Sequence, residues 1–160
     1  DTAIWTATTA APGLAWADPD DIRADVTAVS PTVDHVIVLL HSGYEYVEEP
    51  SEPQAAAARA AIEAGAALVI GHHTHILQGL EFYDNQAIIY GTGNFAFQIE
   101  GDPATGIFHI WLDESGVRQI ELQPAIVQSS GQPRLAQPEE ADPIRRQVYF
   151  LTQLLNAAPR

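Results

Sequence analysis

The apolar positions divide the chain into two halves of different character. In the first half, Val36-Ile37-Val38-Leu39-Leu40 is a continuous, largely β-branched apolar run, the pattern of a strand buried on both faces in a parallel sheet. Leu68-Val69-Ile70 is a shorter run of the same kind, ending at Gly71. Between them the segment from Glu52 to Ala64 is alanine-rich and strongly helical, and Gly65 stops it. Upstream, Asp18-Pro19-Asp20-Asp21 marks a helix start, with a capping Asp, a Pro in the first turn and acids at the positive end of the dipole. Ile22, Val26 and Val29 then define the inward face of a helix that ends near Pro31. Ile4 to Thr9 is expected to form a short strand before the Pro12-Gly13 break.

The second half reads as hairpins. Leu80 to Tyr83 and Ala87 to Tyr90 flank a tight Asp84-Asn85 turn. Ile107 to Leu112 and Val117 to Val127 pair around Glu114-Ser115-Gly116. Ser129 to Pro143 is a polar, Pro-rich connection, after which Asp142 is expected to cap a closing helix with Ile144, Val148, Leu151 and Leu155 on one face. A parallel strand–helix–strand unit followed by antiparallel hairpins predicts an α/β fold with mixed β-sheets flanked by helices.

Composition narrows the function classes. The 160 residues are 46% hydrophobic and 18% charged, which suits one ordinary globular domain. Seven cations, all Arg, stand against 21 acids for a net charge of −14. No basic face for phosphate neutralisation can be assembled, so nucleic acid is excluded as an expected partner. Without cysteine there is no disulfide, thiol nucleophile or Cys-bound zinc. The run from Val36 to Leu40 is far below the roughly 20 apolar residues of a spanning helix, so no membrane contact is expected from this segment. The chain opens Asp1-Thr2-Ala3 and contains no Met, and it is therefore expected to be a piece of a longer protein.

The chemistry-bearing residues follow the two apolar runs. His41 comes directly after the first, and His72, His73 and His75 after the second. In open α/β sheets ligands bind outside the carboxyl ends of the strands. An extended His-x-His places alternate rings on one side, and with His41 this gives three imidazoles that could converge, the minimum protein set for a catalytic transition-metal site. The competing reading is a polar loop with its rings in solvent. Glu45, four residues past His41, either orients an imidazole, binds substrate or is a solvated acid beside Glu48 and Glu49. Asn94 follows a strand at the same end of the sheet and is a candidate substrate contact or a plain turn residue. Gly43 and Gly71 bracket the histidine loops and permit tight turns, Tyr44 and Tyr46 are expected to cover the sheet end, and His35 and His109 are read as structural. No nucleophile elbow, phosphate loop or dinucleotide fingerprint is present.

Four segments occur in a recognisable order: His41-Ser42-Gly43-Tyr44-Glu45-Tyr46, Pro53-Gln54, the run from Ala64 to Gln78 containing Gly71-His72-His73-Thr74-His75, and Ile89-Tyr90-Gly91-Thr92-Gly93-Asn94-Phe95. Together they resemble the CapA family of capsule and poly-γ-glutamate synthesis proteins, a branch of the calcineurin-like metallophosphoesterases. The signal lies between about His35 and Phe97. The resemblance implies a sandwich of two mixed sheets flanked by helices, with a two-metal site at the strand ends. It implies His41, His73 and His75 as metal ligands and His72 as a residue that supports the ligands or contacts a phosphate, and in an enzyme His72 or His75 would help protonate the leaving group. The loop carries one residue more than the usual Gly-His-x-His. Matching from its C-terminal side selects His73, the preferred alignment, and matching from Gly71 selects His72.

The divalent metals implied are Mn, Fe or Zn, two in the intact domain, and the substrate implied is a phosphoester or an anionic polymer. The superfamily's earlier carboxylate-bearing motifs are absent from these 160 residues. Residues 1–160 are therefore expected to be the C-terminal half of the domain, inactive alone, in a parent that is either a phosphoesterase-like enzyme or a non-catalytic, polymer-anchoring scaffold with metal bridging carboxylates. Strands left without partners could pair two copies into a homodimer through their exposed edges.

Overall fold

A computed structural model describes residues 5–96 and 101–157. Among them, α1 (Pro19–Val29) precedes the unit β1 (Ile37–His41), α2 (Glu52–Glu63) and β2 (Leu68–His72). The hairpins β3 (Leu80–Tyr83)/β4 (Gln86–Ile89) and β5 (Ala104–Asp113)/β6 (Gly116–Val127) follow, and then β7 (Pro133–Leu135) and α3 (Pro138–Ala157). One sheet has the order β1-β2-β4-β3, with β1, β2 and β4 parallel and β3 antiparallel. The other, β5-β6-β7, is antiparallel throughout. The α/β class is as predicted, but of the two sheets expected to be mixed only the first is, since every pairing in the second is antiparallel.

Alternation along the parallel strands feeds two cores. Val69, Ile88 and Tyr90 face α1 and α2, against Val26, Ala57, Ala58, Ala61 and Ile62. Leu68, Ala87 and Ile89 face the second sheet and α3, against Ile144, Val148 and partly buried Phe108, Ile120 and Leu122. This two-sided burial is why β2 and β4 read as unbroken apolar runs. β1 does not share it. Leu40 is buried, but Leu39 is 69% exposed and Ile37 45%. Among the described residues β1 is an edge strand, so the expected burial on both faces is corrected to one face.

Asp18 Oδ1 accepts from the Asp20 and Asp21 amides at 2.9 and 3.4 Å, with Pro19 opening α1. Asp84 and Asn85 turn the β3–β4 hairpin at φ +48° and +62°. Three expectations are corrected. Ile4 of the segment expected as a strand from Ile4 to Thr9 lies outside the described residues, and among those described the segment forms an isolated bridge between Thr6 and Leu14 rather than a strand. The Ser129–Pro143 stretch is not a plain connection, because β7 pairs with β6 and α3 begins at Pro138. Asp142 therefore lies inside α3 rather than capping it. The start is fixed by Glu140, whose Oε2 accepts from the Gln137 amide at 2.8 Å while Arg134 grips the carboxylate at 2.6 and 2.7 Å. Arg134, then the Gln137 amide, pull the Glu140 carboxyl down to about 2. No helix among the described residues is long and apolar enough to cross a membrane.

Candidate functional site at the histidine-bearing sheet edge

The parallel strands bring their carboxyl ends to one edge. His41 and His72 are register partners at the ends of β1 and β2, and the Ser42 amide continues the ladder to the His72 carbonyl at 3.3 Å. The loop after β2 is not extended: His73 has φ +92° and His75 φ +62°. Left-handed backbone at non-glycine residues is uncommon and costs roughly 1–3 kcal/mol each. The rings converge through these turns rather than through the alternation of a strand. The His41 and His73 ring centroids are 4.9 Å apart, and those of His73 and His75 6.2 Å. His72 is exposed at the strand end. His35, before β1, lies away from this edge, and His109 bonds Gln123 Oε1 at 3.0 Å on β5.

Glu45 and Asn94 both reach His75. Its Nδ1 is 2.8 Å from Asn94 Oδ1, and its Nε2 is 3.7 Å from Glu45 Oε1. Tyr46, itself at φ +60°, stacks on the ring at 5.6 Å, which gives it a more specific place than covering the sheet end. The neighbouring loops are tied together by the Tyr46 amide, which donates to the Thr74 carbonyl at 2.9 Å.

Next to the two histidine loops lie two buried amides, Gln54 and Gln78, which belong to the recognisable segments but carried no expected role. Gln54, 1% exposed, donates from Nε2 to the Tyr90 carbonyl at 3.0 Å and to Gln78 Oε1 at 3.3 Å. Gln78, fully buried, donates to the Val47 carbonyl at 2.8 Å. The signal for Gln54 was present as Ser51-Glu52-Pro53-Gln54, a capping box in which Gln54 Oε1 accepts from the Ser51 amide. Gly43 sits at φ +120°, as its loop requires. Gly71 serves differently from the expected turn: a Cβ there would lie 2.0 Å from the Tyr90 carbonyl oxygen, so only glycine lets β2 lie against the end of β4.

Desolvation by the surrounding protein, followed by His73, His72 and His75, holds His41 below the usual histidine range. Imidazole nitrogens with one carboxylate are donors suited to a divalent transition metal. Even so, no three His, Asp or Glu side chains among the described residues are arranged to hold one ion. The edge as it stands is a convergence of donors, not a complete ligand shell.

Comparison with known proteins covers this same stretch. Residues 1–99 match the family described as "Bacterial capsule synthesis protein PGA_cap", a span that includes all six site residues singled out above. The chain is 35% identical over 118 residues to the PGA biosynthesis protein CapA of Bacillus subtilis (strain 168), covering 71% of this chain and 30% of that protein. It is 34% identical over 137 residues to the capsule biosynthesis protein CapA of Bacillus anthracis, covering 80% and 32%. A probable polyglutamine synthesis accessory protein of Mycobacterium tuberculosis (strain CDC 1551 / Oshkosh) is 33% identical over 82 residues, or 51% of this chain and 22% of that one. The chain thus spans about a third of the length of the two CapA proteins it matches. On these grounds it belongs to the bacterial capsule synthesis protein PGA_cap family.

Proposed function

We propose that this chain is part of a capsule or poly-γ-glutamate biosynthesis protein, and that its histidine edge contributes donors to a divalent-metal site for phosphoester chemistry. The observation that carries the reading is the meeting of His41, His73 and His75 at the carboxyl ends of parallel strands, with Glu45 beside His75. His41, His73 and His75 are the proposed ligands, and His72, exposed at the strand end, is the proposed phosphate contact. A divalent ion such as Mn²⁺, Fe²⁺ or Zn²⁺ would supply Lewis acidity at such a site. The bridging carboxylate of a two-metal centre comes, in this proposal, from outside these 160 residues, which form one half of the domain. The test is phosphatase activity of the full-length parent with Mn²⁺, abolished by His73→Ala. A metal-loaded parent inert on phosphoesters overturns the reading.

A second reading is favoured by the relatives' names, which tie them to PGA and capsule biosynthesis, and it must contend with a net charge of −14. Here the protein is a non-catalytic scaffold that holds an anionic polymer through metal ions bridging carboxylates. Without such cations the two would repel. Polymer binding that is lost on chelation supports this alternative, and binding that survives chelation of all divalent metal removes it.

A further inference from the structure

Asn94 does more at this edge than line it. An amide oxygen only accepts hydrogen bonds, so at 2.8 Å from Asn94 Oδ1 the Nδ1 of His75 is the nitrogen that carries the proton. A neutral imidazole has a single N–H, and Nε2 is left with the lone pair. Nε2 is 3.7 Å from Glu45 Oε1, too far for a hydrogen bond and an ion pair only when the ring is protonated on both nitrogens, and the Tyr46 ring stacks against the imidazole face. Asn94 is itself braced from the second sheet: its carbonyl accepts from the hydroxyl of fully buried Thr105 on β5. Side chain and backbone of Asn94 thus link a rigid strand to the ring of a histidine on a left-handed loop.

We infer that Asn94 is a positioning residue for His75: its Oδ1 fixes the Nδ1–H tautomer and leaves the Nε2 lone pair as a ligand or proton acceptor. An unconstrained histidine side chain favours the opposite, Nε2–H form. The inference deepens the reading of His75 as a working residue of the site and rests on it for its purpose. Its readout needs neither metal nor substrate, so the two can fail separately.

Long-range ¹H–¹⁵N correlation of the ¹⁵N-labelled chain at about pH 8, where an ordinary histidine is neutral, reads the tautomer directly. His75→Gln assigns the signals. The expected wild-type result is a pyrrole-like Nδ1 and a pyridine-like Nε2 in His75. Asn94→Leu should move the tautomer ratio about fivefold toward Nε2–H, the equivalent of one net hydrogen bond. Asn94→Asp keeps an acceptor oxygen and should retain the wild-type pattern. A pyrrole-like Nε2 in the wild type, or an unchanged ratio in Asn94→Leu, overturns the inference. Should Asn94→Leu fail to fold, the wild-type and Asn94→Asp spectra decide it alone. Absence of any Mn²⁺ response with the Nδ1–H pattern intact would count against the metal site and leave the positioning role standing.

Discussion

His41 stands at the end of an edge strand with three other imidazoles near it, and its chemistry follows from that crowding. Its proton is held less tightly in the folded chain than the ordinary value of 6.5, through desolvation and then through His73, His72 and His75. The unfolded chain therefore binds more protons in the window just below 6.5. Stability should rise with pH through that window and be lost as pH falls from 6.5 toward the folded value. Replacing the ring removes this dependence. Between about pH 7 and about pH 5 the melting temperature of the wild type should drop more than that of His41→Gln. Equal drops in the two proteins, measured by circular dichroism, would place the acid sensitivity elsewhere.

At the scale of elements, the site is held by the joint between α2, β4 and the two loops. Gln54 belongs to the capping box of α2 and simultaneously reaches the Tyr90 carbonyl and Gln78. Gln54→Leu keeps the volume roughly but leaves buried polar groups at Tyr90 and Gln78 without their partner. A loss of about 2–3 kcal/mol is expected in urea denaturation, since a stranded buried group costs its full desolvation. Most elements were legible beforehand, because capping Asp18, turn residues Asp84-Asn85 and the apolar period of α3 are local signals. The start of α3 was not. It depends on Arg134 holding Glu140 against the Gln137 amide, and a salt bridge to a preceding strand residue leaves no periodic trace.

For the whole molecule, the second sheet covers β2 and β4 but leaves Ile37 and Leu39 of β1 uncovered. An apolar edge with unpaired backbone groups favours pairing with another strand. The chain on its own is expected to self-associate through β1, and Leu39→Lys should shift it toward monomer. Light scattering across a concentration series checks this, and a wild-type monomer at every concentration is the contrary result. The strong acidity opposes such contact at low ionic strength, so association should increase with salt.

The sequence by itself determined the alternation of strands and helices, the family, and the placing of four histidines after two apolar runs, because these rest on short-range periodicity and on side-chain type. Only the tertiary structure decided that β1 is half exposed, that the rings approach one another through left-handed turns, and that Glu45 and Asn94 both lie against His75. Those outcomes depend on which strand lies at an edge and on contacts between residues 19 and 30 positions apart, and no local pattern encodes either.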